Sequence, residues 1–299
     1  MNTVKAKNAE SAPVLSKRRK GTGLREFWSQ FSKNKAAVVS LIIIILLILA
    51  SVCAPLLTPY DYEATDLINK MKPPSSEHPF GTDNYGRDIL TRVLYGGRMS
   101  LLISLVAVVM SMIVGALLGA IAGYYGDRVD SVIMRILDMF MSIPGLLLSV
   151  SVSIVLGTGI VETAAAIAIG SVPPLARVIR AQVLTIRGQE YIEASRAVGA
   201  SNFRIILSHV IPNSLAPLIV QATMRIGSTV SLISSLSFLG AGVQPPTPEW
   251  GSMLSEGRTY ILSSWPMVVF PGIAISLTML AFNIFGDGVR DALDPKLRR

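Results

Sequence analysis

Charge is scarce in this chain of 299 residues, because only 15% of the residues are Asp, Glu, Lys or Arg while 51% are hydrophobic. Soluble domains carry about 25% charged residues, so the composition excludes an ordinary soluble globular protein. The net charge of +8 would favour a nucleic-acid partner for a soluble protein. In a membrane protein it indicates instead which side of the bilayer the basic loops occupy, and we expect no nucleic-acid partner.

Cysteine and histidine are nearly absent, which excludes several kinds of site. The one cysteine, Cys53, cannot form a disulfide framework, and the two histidines, His78 and His209, leave too few ligands for an ordinary structural zinc site. No glycine is followed by lysine, as a G-x-x-x-x-G-K phosphate-binding loop requires, and no H-E-x-x-H sequence occurs. We therefore predict a non-catalytic chain that holds no metal and no cofactor of its own.

Long uncharged stretches predict an all-α integral membrane protein. A helix needs about 20 mainly apolar residues to cross a bilayer core of about 30 Å. Four stretches meet this requirement without any charge, a fifth is interrupted only by Arg225, and a weaker sixth contains Pro173 and Pro174. The six predicted transmembrane helices are 36–60, 99–126, 139–161, 160–179, 205–248 and 259–286.

The charges of the loops predict how the chain is oriented. With the amino terminus inside, the inner segments hold twenty Lys or Arg residues and the outer segments six, and Arg225 is the remaining one. The positive-inside rule favours this orientation, with both termini cytoplasmic. The predicted organisation is a disordered cytoplasmic tail at 1–23, an amphipathic interfacial helix at 24–35, the first transmembrane helix at 36–60, an extracytoplasmic loop at 61–98, a core domain at 99–286 and a cytoplasmic tail at 287–299.

The amino-terminal region combines an amphipathic segment with the first apolar run. Leu24, Phe27, Trp28 and Phe31 recur at helical spacing, which predicts a helix lying in the membrane interface. A helix packed on a partner protein is the alternative. The run at 36–60 is longer than the 7–15 apolar residues of a cleavable signal peptide, so we predict that it is retained as a membrane anchor.

The longest inner connection, at 180–213, is neither purely polar nor apolar enough to cross the membrane. Its segment from Glu193 to Ser201 is rich in small residues. In a helix, Ala194, Ala197 and Val198 would share one face, and a glycine such as Gly199 is typical of a helix end. A short helix with a flat face of small side chains predicts docking into a groove of another protein.

This segment resembles the cytoplasmic signature of the transmembrane permease subunits of ATP-binding-cassette importers. That signature is Glu-Ala-Ala, three residues, then Gly, and here Ser195 replaces one alanine and Ile211 replaces the leucine of its Leu-Pro end. The resemblance implies a coupling helix that enters a cleft of a cytoplasmic ATPase subunit. The residues to which it assigns this role are Glu193, Ala194, Ser195, Ala197 and Gly199.

Further motifs are similar to those of dipeptide and oligopeptide importer permeases. They lie at 80–83 (FGTD), 86–88 (GRD), 97–101 (GRMSL), 237–240 (SFLG), 244–251 (QPPTPEWG), 286–288 (GDG) and 291–295 (DALDP). The resemblance implies type I importer-permease architecture in a prokaryotic inner membrane. It also implies the following partners: a homologous second permease in a heterodimer, two cytoplasmic ATPase subunits that bind ATP and Mg, an extracytoplasmic peptide-binding protein, and membrane lipid.

The cargo that this resemblance implies is a dipeptide or oligopeptide, and this chain would be the second-type permease. Glutathione, an opine and chelated nickel remain alternatives, because importers of these compounds share much of the pattern. A secondary transporter or channel that needs no ATPase is the alternative from another class.

Several residues inside the predicted spans are candidates for packing or for a translocation path. Gly115, Gly119 and Gly123 recur every four residues, which predicts close helix packing, within this chain or with the companion permease. Ser142 and Pro144 interrupt the third span, which predicts either a pore-lining kink or a simple bend.

Charged residues in the spans and aromatic residues near their ends complete the candidates. Arg225 lies near the middle of its predicted span, where an arginine is expected to face protein or water. Asp138 lies one turn after Arg135, which predicts an ion pair, with a gate as the alternative. Trp250 and Trp265 are predicted as interfacial anchors. The acidic residues of the predicted outer loops either contact the binding protein or are simply solvated. They are Asp61, Glu63, Asp66, Glu77, Asp83, Asp88, Glu249 and Glu256.

Overall fold

The computed structural model describes residues 22–293, and in this part of the chain the regular structure is helical, apart from one isolated bridge between Thr82 and Asp88. The helices are α1 Thr22–Phe31, α2 Lys35–Val52, α3 Ala54–Leu57, α4 Ile89–Tyr125, α5 Asp127–Met141, α6 Gly145–Leu156, α7 Ile160–Arg187, α8 Glu190–Ala197, α9 Asn202–Ile205, α10 Ile211–Phe238, α11 Trp250–Gly257 and α12 Pro266–Leu293. A π-helical turn, Ile206–Val210, joins α9 to α10, and short 3₁₀ turns lie at Leu67–Asn69 and Arg258–Tyr260.

Five of these helical segments are long and apolar enough to cross a membrane: α2, α4, α7, the continuous segment Asn202–Phe238, and α12. The predicted third span at 139–161 is not one straight helix, because α5 and α6 meet at an angle of 90°. Pro144 explains the break, since proline cannot donate its backbone nitrogen and disfavours helical geometry in the residue before it. The described residues thus contain five spans, or six if the bent pair crosses as one.

Several helix ends differ from the predicted boundaries. The first membrane helix ends at Val52 instead of continuing to residue 60, and α4 begins at Ile89, inside the predicted outer loop. Asp88 fixes this start, because its side chain accepts a hydrogen bond from the backbone nitrogen of Thr91 at 2.7 Å. Helix α12 continues to Leu293, so residues 287–293 of the predicted tail are helical. Residues 1–21 and 294–299 of the predicted tails lie outside the described residues.

Glycines allow α4 to pack closely against α7. A Cβ atom on Gly119 would lie 2.3 Å from the carbonyl oxygen of Ala176, and one on Gly123 would lie 2.8 Å from Cβ of Val183. A Cβ atom on Gly115 would likewise lie 2.9 Å from Cβ of Leu175. The three glycines singled out in the sequence therefore face a helix of their own chain, and backbones approach too closely here for any side chain.

Helix α1 packs on the carboxyl-terminal end of α12. Phe31 is 1% exposed, and its ring lies 5.7 Å from that of Phe285 in an edge-to-face arrangement. Gly288 makes room for this contact, since a Cβ atom there would lie 2.3 Å from Cβ of Ala37 and 3.1 Å from the Phe31 ring. Part of the predicted interfacial face therefore meets the chain itself, while Trp28 remains 54% exposed.

Residues 58–88 and α11 together form a compact cap over one end of the bundle. Trp250 lies at its base, 2% exposed, and its indole nitrogen donates to the carbonyl of Val93 at 2.8 Å. The prediction that Trp250 is an interfacial anchor is wrong. Gly96 and Gly97 of α4 make room for the indole, because a Cβ atom on either would lie 3.1 Å or 3.0 Å from it. Trp265, in contrast, is 52% exposed.

Candidate functional site

Helix α8 lies in the connection between α7 and α10, at the end of the bundle opposite the cap. It starts at Glu190, three residues before the small-residue motif, and ends at Ala197. Glu193, Ala194 and Ala197 are exposed, whereas Ile192 on the opposite face is completely buried. The small side chains thus form an open face on a helix whose other face is packed against the bundle.

Gly199 ends α8 in a Schellman motif. Its φ angle is +83°, its backbone nitrogen donates to the carbonyl of Arg196 at 2.9 Å, and the nitrogen of Ala200 donates to the carbonyl of Ser195 at 3.0 Å. This pair of bonds needs a residue in the left-handed region, where glycine is the least strained. Among residues 22–293, its two chain neighbours apart, no atom lies within 4 Å of the position of a Cβ on Gly199, so conformation, not space among these residues, requires glycine here.

Tyr124, at the end of α4, connects α8 to the membrane helices. Its hydroxyl donates to Oδ1 of Asn202 at 2.8 Å and accepts from Nε of Arg196 at 3.3 Å. Ile192 is buried in the same cluster, together with Ile186 and Ile205. Helix α8 is therefore attached to α4 and α7 through both polar and apolar contacts.

The open face of α8 continues beyond Gly199 as an apolar surface. Val198 is 84% exposed and Phe203 is 72% exposed. Ser195 differs from its neighbours in the motif, since it is half-buried and its hydroxyl lies 3.5 Å from Nε2 of His209. The surface available to a partner is therefore formed by Ala194, Ala197, Val198 and Phe203. Ser195 instead contacts His209, in the π-helical turn that precedes α10.

Ion pairs join the amphipathic helix α5 to α7. Asp130 accepts two hydrogen bonds from Arg180, each at 2.5 Å. Asp138 pairs with Arg177, and not with Arg135 as the sequence spacing predicted. The spacing identified only neighbours on the same helix, whereas α7 crosses close enough to supply its own arginine. Both side chains of the Asp138 pair are about half exposed, at 53% and 48%.

Arg225 lies in the middle of α10 and is half-buried. Its Nε atom is buried and finds no hydrogen-bond acceptor among the described residues. No carboxylate of residues 22–293 lies within 4 Å of its guanidinium. A buried charge is costly when nothing satisfies it, and within residues 22–293 the guanidinium of Arg225 has no carboxylate partner.

A cavity of about 390 Å³ opens on the cap-side half of α10. Ser231, Ser234 and Ser235 line it, together with Phe238 and, from the start of α6, Leu146. The bend at Ser142 and Pro144 is fully exposed and lies just before Leu146 in the chain. The cavity therefore brings α10 close to the bend, but Arg225, Asp138, Ser142 and Pro144 do not line it.

Four charged side chains form a buried cluster inside the cap. Asp83 accepts from Nε of Arg87 at 2.6 Å, and Arg87 also reaches Glu256 at 3.0 Å. Arg92 lies 3.6 Å from each of the two carboxylates and is 2% exposed. Two arginines and two carboxylates balance in charge, so the cluster fastens α11 to α4 without leaving a buried net charge.

Two family models match the chain. The model described as binding-protein-dependent transport system inner membrane component matches residues 115–299, and the model of the N-terminal TM domain of oligopeptide transport permease C matches residues 22–74. The first covers more than half of the chain. The chain belongs to this family of inner-membrane permeases. It resembles the dipeptide transport system permease protein DppC of Alkalihalophilus pseudofirmus, with 48% identity over 92% of this chain and 90% of that protein.

Other relatives of this permease differ in the cargo that their names state. The di/tripeptide transport system permease protein DppC of Pseudomonas aeruginosa is 45% identical over 92% of this chain and 93% of its own length. The glutathione transport system permease protein GsiD of Pectobacterium atrosepticum is 42% identical over 96% and 95% of the two chains. The fold is also that of a solved chain of the MetNI methionine ABC transporter in an inward-facing conformation, with a TM-score of 0.51, 20% identity and coverage of 66% of this chain and 96% of that one.

The acidic residues predicted to lie outside, for which contact with a binding protein and solvation were the two interpretations, differ widely in exposure. Glu249 is completely buried and caps α11, because its two carboxylate oxygens accept from the backbone nitrogens of Gly251 and Ser252, each at 2.9 Å. Asp83 and Asp88 are each 3% exposed. Glu77 and Asp61 remain exposed and available for contact with another protein.

Sequence reasoning missed two groups of residues in the permease. The serines of α10 recur at spacings of three and four in an apolar stretch, and that spacing is a signal for one polar helix face. Tyr124 gave no such signal, because its partners Arg196 and Asn202 follow more than seventy residues later in the chain.

Proposed function

We propose that this permease forms half of a peptide import pathway, together with a second, homologous permease. Two cytoplasmic ATPase subunits would bind ATP and Mg and drive the cycle, and an extracytoplasmic binding protein would deliver the peptide. The permease itself contributes a path and a moving contact but no catalytic residue. The observation that carries the proposal is the 48% identity to a dipeptide permease over 92% of the chain.

In this proposal, the ATPase contact is the open face of α8. Ala194, Ala197 and Val198 are exposed together on a helix whose buried residue Ile192 anchors it to the bundle. A rigidly attached helix with small exposed side chains can enter a groove on a partner and transmit its displacement to α4 and α7. Glu193 and Gly199 are assigned to the same contact, Glu193 through its charge and Gly199 through the shape of the helix end.

The proposed orientation places α8 in the cytoplasm and the cap outside, with both termini inside. It is supported by the twenty basic residues of the inner segments against six in the outer ones. Cysteine variants at the exposed positions Glu77 and Arg204, in a Cys53→Ser background, test it with an impermeant thiol reagent. We expect labelling of intact cells at position 77 and not at 204, and the reverse pattern would contradict the orientation.

The proposed translocation path follows α10. The serine-lined cavity and Arg225 lie on this helix, and the bend with Ser142 and Pro144 approaches its cap-side half through Leu146. Polar side chains along one helix suit the passage of a peptide backbone, which presents amide donors and acceptors. Asp138, which lies in the last turn of α5 just before the bend and pairs with Arg177 of α7, is assigned to holding the bend in place during the cycle.

An uptake experiment distinguishes peptide cargo from glutathione. Glutathione is the second candidate because the chain is 42% identical to a glutathione permease. A strain that lacks this chain would be supplied with labelled dialanine, trialanine or glutathione, with and without the wild-type chain. We expect the chain to restore dipeptide or tripeptide uptake that depends on ATP. Restoration of glutathione uptake alone would replace the peptide assignment, and uptake without ATPase subunits would contradict the importer class.

A further inference from the structure

A groove of about 480 Å³ lies between α2 and α4 on the side of the bundle that would face lipid. Ile48 of α2 and Leu101 and Leu105 of α4 form its walls, and Phe282 of α12 contributes to its floor. The walls are open to the surroundings, since Leu105 is 50% exposed and only 22% of the α2 span is buried. Helix α2 therefore leans on α12 and leaves its α4 side incompletely packed.

The cap-side end of the groove carries its one charged lining residue, Arg98. Nε of Arg98 donates to the carbonyl of Ser51 at 2.6 Å, and a second guanidinium nitrogen donates to the carbonyl of Val52, at the end of α2. The guanidinium lies 4.9 Å from the centre of the Tyr95 ring, which packs against the Tyr62 ring at an angle of 40°. Tyrosines and long basic side chains collect at the membrane interface, so this end of the groove lies at headgroup level.

The groove runs along about two-thirds of one leaflet. Seven residues separate Arg98 from Leu105 on α4, which corresponds to about 10 Å along the helix, and half of a bilayer core is about 15 Å thick. A single hydrocarbon chain is thin enough to lie in it.

We propose that this groove binds one phospholipid, with an acyl chain along Ile48, Leu101 and Leu105 and the phosphate at Arg98. In the described part of the chain, Arg98 engages two of its five N–H groups with the carbonyls of α2. The others can form a two-pronged, charge-assisted contact with a phosphate. The bound lipid fills the gap between α2 and α4 and so fastens the first membrane helix to the core.

Native mass spectrometry of the complex, purified through this chain and equilibrated with phosphatidylglycerol, tests the proposal. We expect one phospholipid per copy of this chain to survive extensive detergent washing. Arg98→Gln should weaken retention about tenfold, because it removes the charge that binds the phosphate. Leu102→Trp should abolish retention by filling the groove, which Leu102 lines, while it leaves Arg98 in place.

Ile113→Trp is the matched control, since Ile113 lies on the same helix, is 57% exposed and does not line the groove. It should retain the lipid as the wild type does. Equal retention in Leu102→Trp and Ile113→Trp would overturn the proposal, even if Arg98→Gln failed to assemble. A photoreactive residue at position 102 that captures the companion permease, and not phospholipid, would overturn it as well.

Discussion

The guanidinium of Arg196 lies 5.0 Å from the centre of the Tyr124 ring, and its Nε donates to the Tyr124 hydroxyl at 3.3 Å. Tyr124 belongs to the last turn of a 37-residue membrane helix, and Arg196 belongs to the short helix α8. Because the same hydroxyl donates to Asn202 at the start of α9, one side chain contacts both sides of the turn between α8 and α9. We therefore expect a displacement of α8 to reach α4 through this side chain.

Tyr124→Phe should loosen this connection and keep the ring. The variant loses two hydrogen bonds of about 0.5–1.5 kcal/mol each but retains the cation–π contact with Arg196. We expect an assembled complex that imports fewer peptides per ATP hydrolysed, measured in proteoliposomes. The control is Tyr125→Phe, because Tyr125 is 45% exposed and its hydroxyl makes no hydrogen bond among the described residues. An unchanged ratio for Tyr124→Phe would contradict the proposed transmission.

Gly199 variants separate backbone strain from steric fit. The φ angle of +83° makes alanine unfavourable by about 1–2 kcal/mol, whereas asparagine tolerates the left-handed region better. Since the described residues beyond the chain neighbours place no atom within 4 Å of a Cβ at this position, the Cβ of either residue meets no clash with them. We expect ATPase stimulation by the binding protein to fall in the order Gly199, Asn, Ala. Equal loss for Asn and Ala would mean that docking bulk, not strain, governs the position.

The end of α8 could be predicted from sequence because it depends on local chemistry. A glycine that follows a helical segment in a Schellman motif is determined by a few neighbouring residues. The attachment of α8 could not be predicted, since Tyr124 and Arg196 are distant in sequence and a tyrosine at a helix end carries no signature. The spacing of Gly115, Gly119 and Gly123 likewise predicted close packing but not the partner helix α7.

The long spans were predictable because apolar length alone defines them, and this holds for α2, α4 and α12. The bend of the third span was also predictable, from Ser142 and Pro144, but neither residue shows that the chain turns there by 90°. The prediction for Trp250 was wrong because its burial depends on the space left by Gly96 and Gly97 in another helix. Composition identifies the segments that can lie in a membrane, but it does not show which tryptophan side chain packs against another helix.

Gly119→Ala should destabilise the α4–α7 contact. Its Cβ would lie 2.3 Å from the carbonyl oxygen of Ala176, and backbone cannot move aside cheaply. We expect the loss of folded protein and a melting temperature lower by several degrees, because overpacking costs about 1–3 kcal/mol. Gly272→Ala in α12 is the control, since the nearest atom to its Cβ is 3.9 Å away. That variant should be neutral or slightly stabilising. Equal stability of the two variants would contradict the close approach.

Asp83→Asn should weaken the attachment of the cap. It leaves the buried guanidinium groups of Arg87 and Arg92 with Glu256 as their one carboxylate within the described residues. Breaking a buried ion pair costs about 3–5 kcal/mol, so we expect faster proteolysis of the segment before α4. Asp61→Asn is the control, because Asp61 is exposed and accepts one backbone hydrogen bond, from Glu63. If both variants resist protease as the wild type does, the charge cluster does not stabilise the cap.

Arg225 variants test whether the charge in the middle of α10 serves the import path. An arginine at the bilayer centre costs about 2.5–3.5 kcal/mol on insertion scales, and the described residues offer no acceptor to its Nε. If Arg225 faces lipid, Arg225→Leu should be harmless or stabilising. If it faces the companion permease or the carboxylate of a passing peptide, Arg225→Leu should impair complex yield or uptake.

Complex yield and peptide uptake, measured together for Arg225→Leu and Arg225→Lys, distinguish these cases. Lysine keeps the charge but not the planar fork, so it should restore a purely electrostatic role and fail to restore a two-pronged contact. A loss of yield in both variants would assign Arg225 to assembly, because the companion helix would then supply its acceptor. We expect normal yield with reduced uptake for leucine and partial recovery for lysine. A fully assembled and fully active Arg225→Leu permease would remove Arg225 from the path.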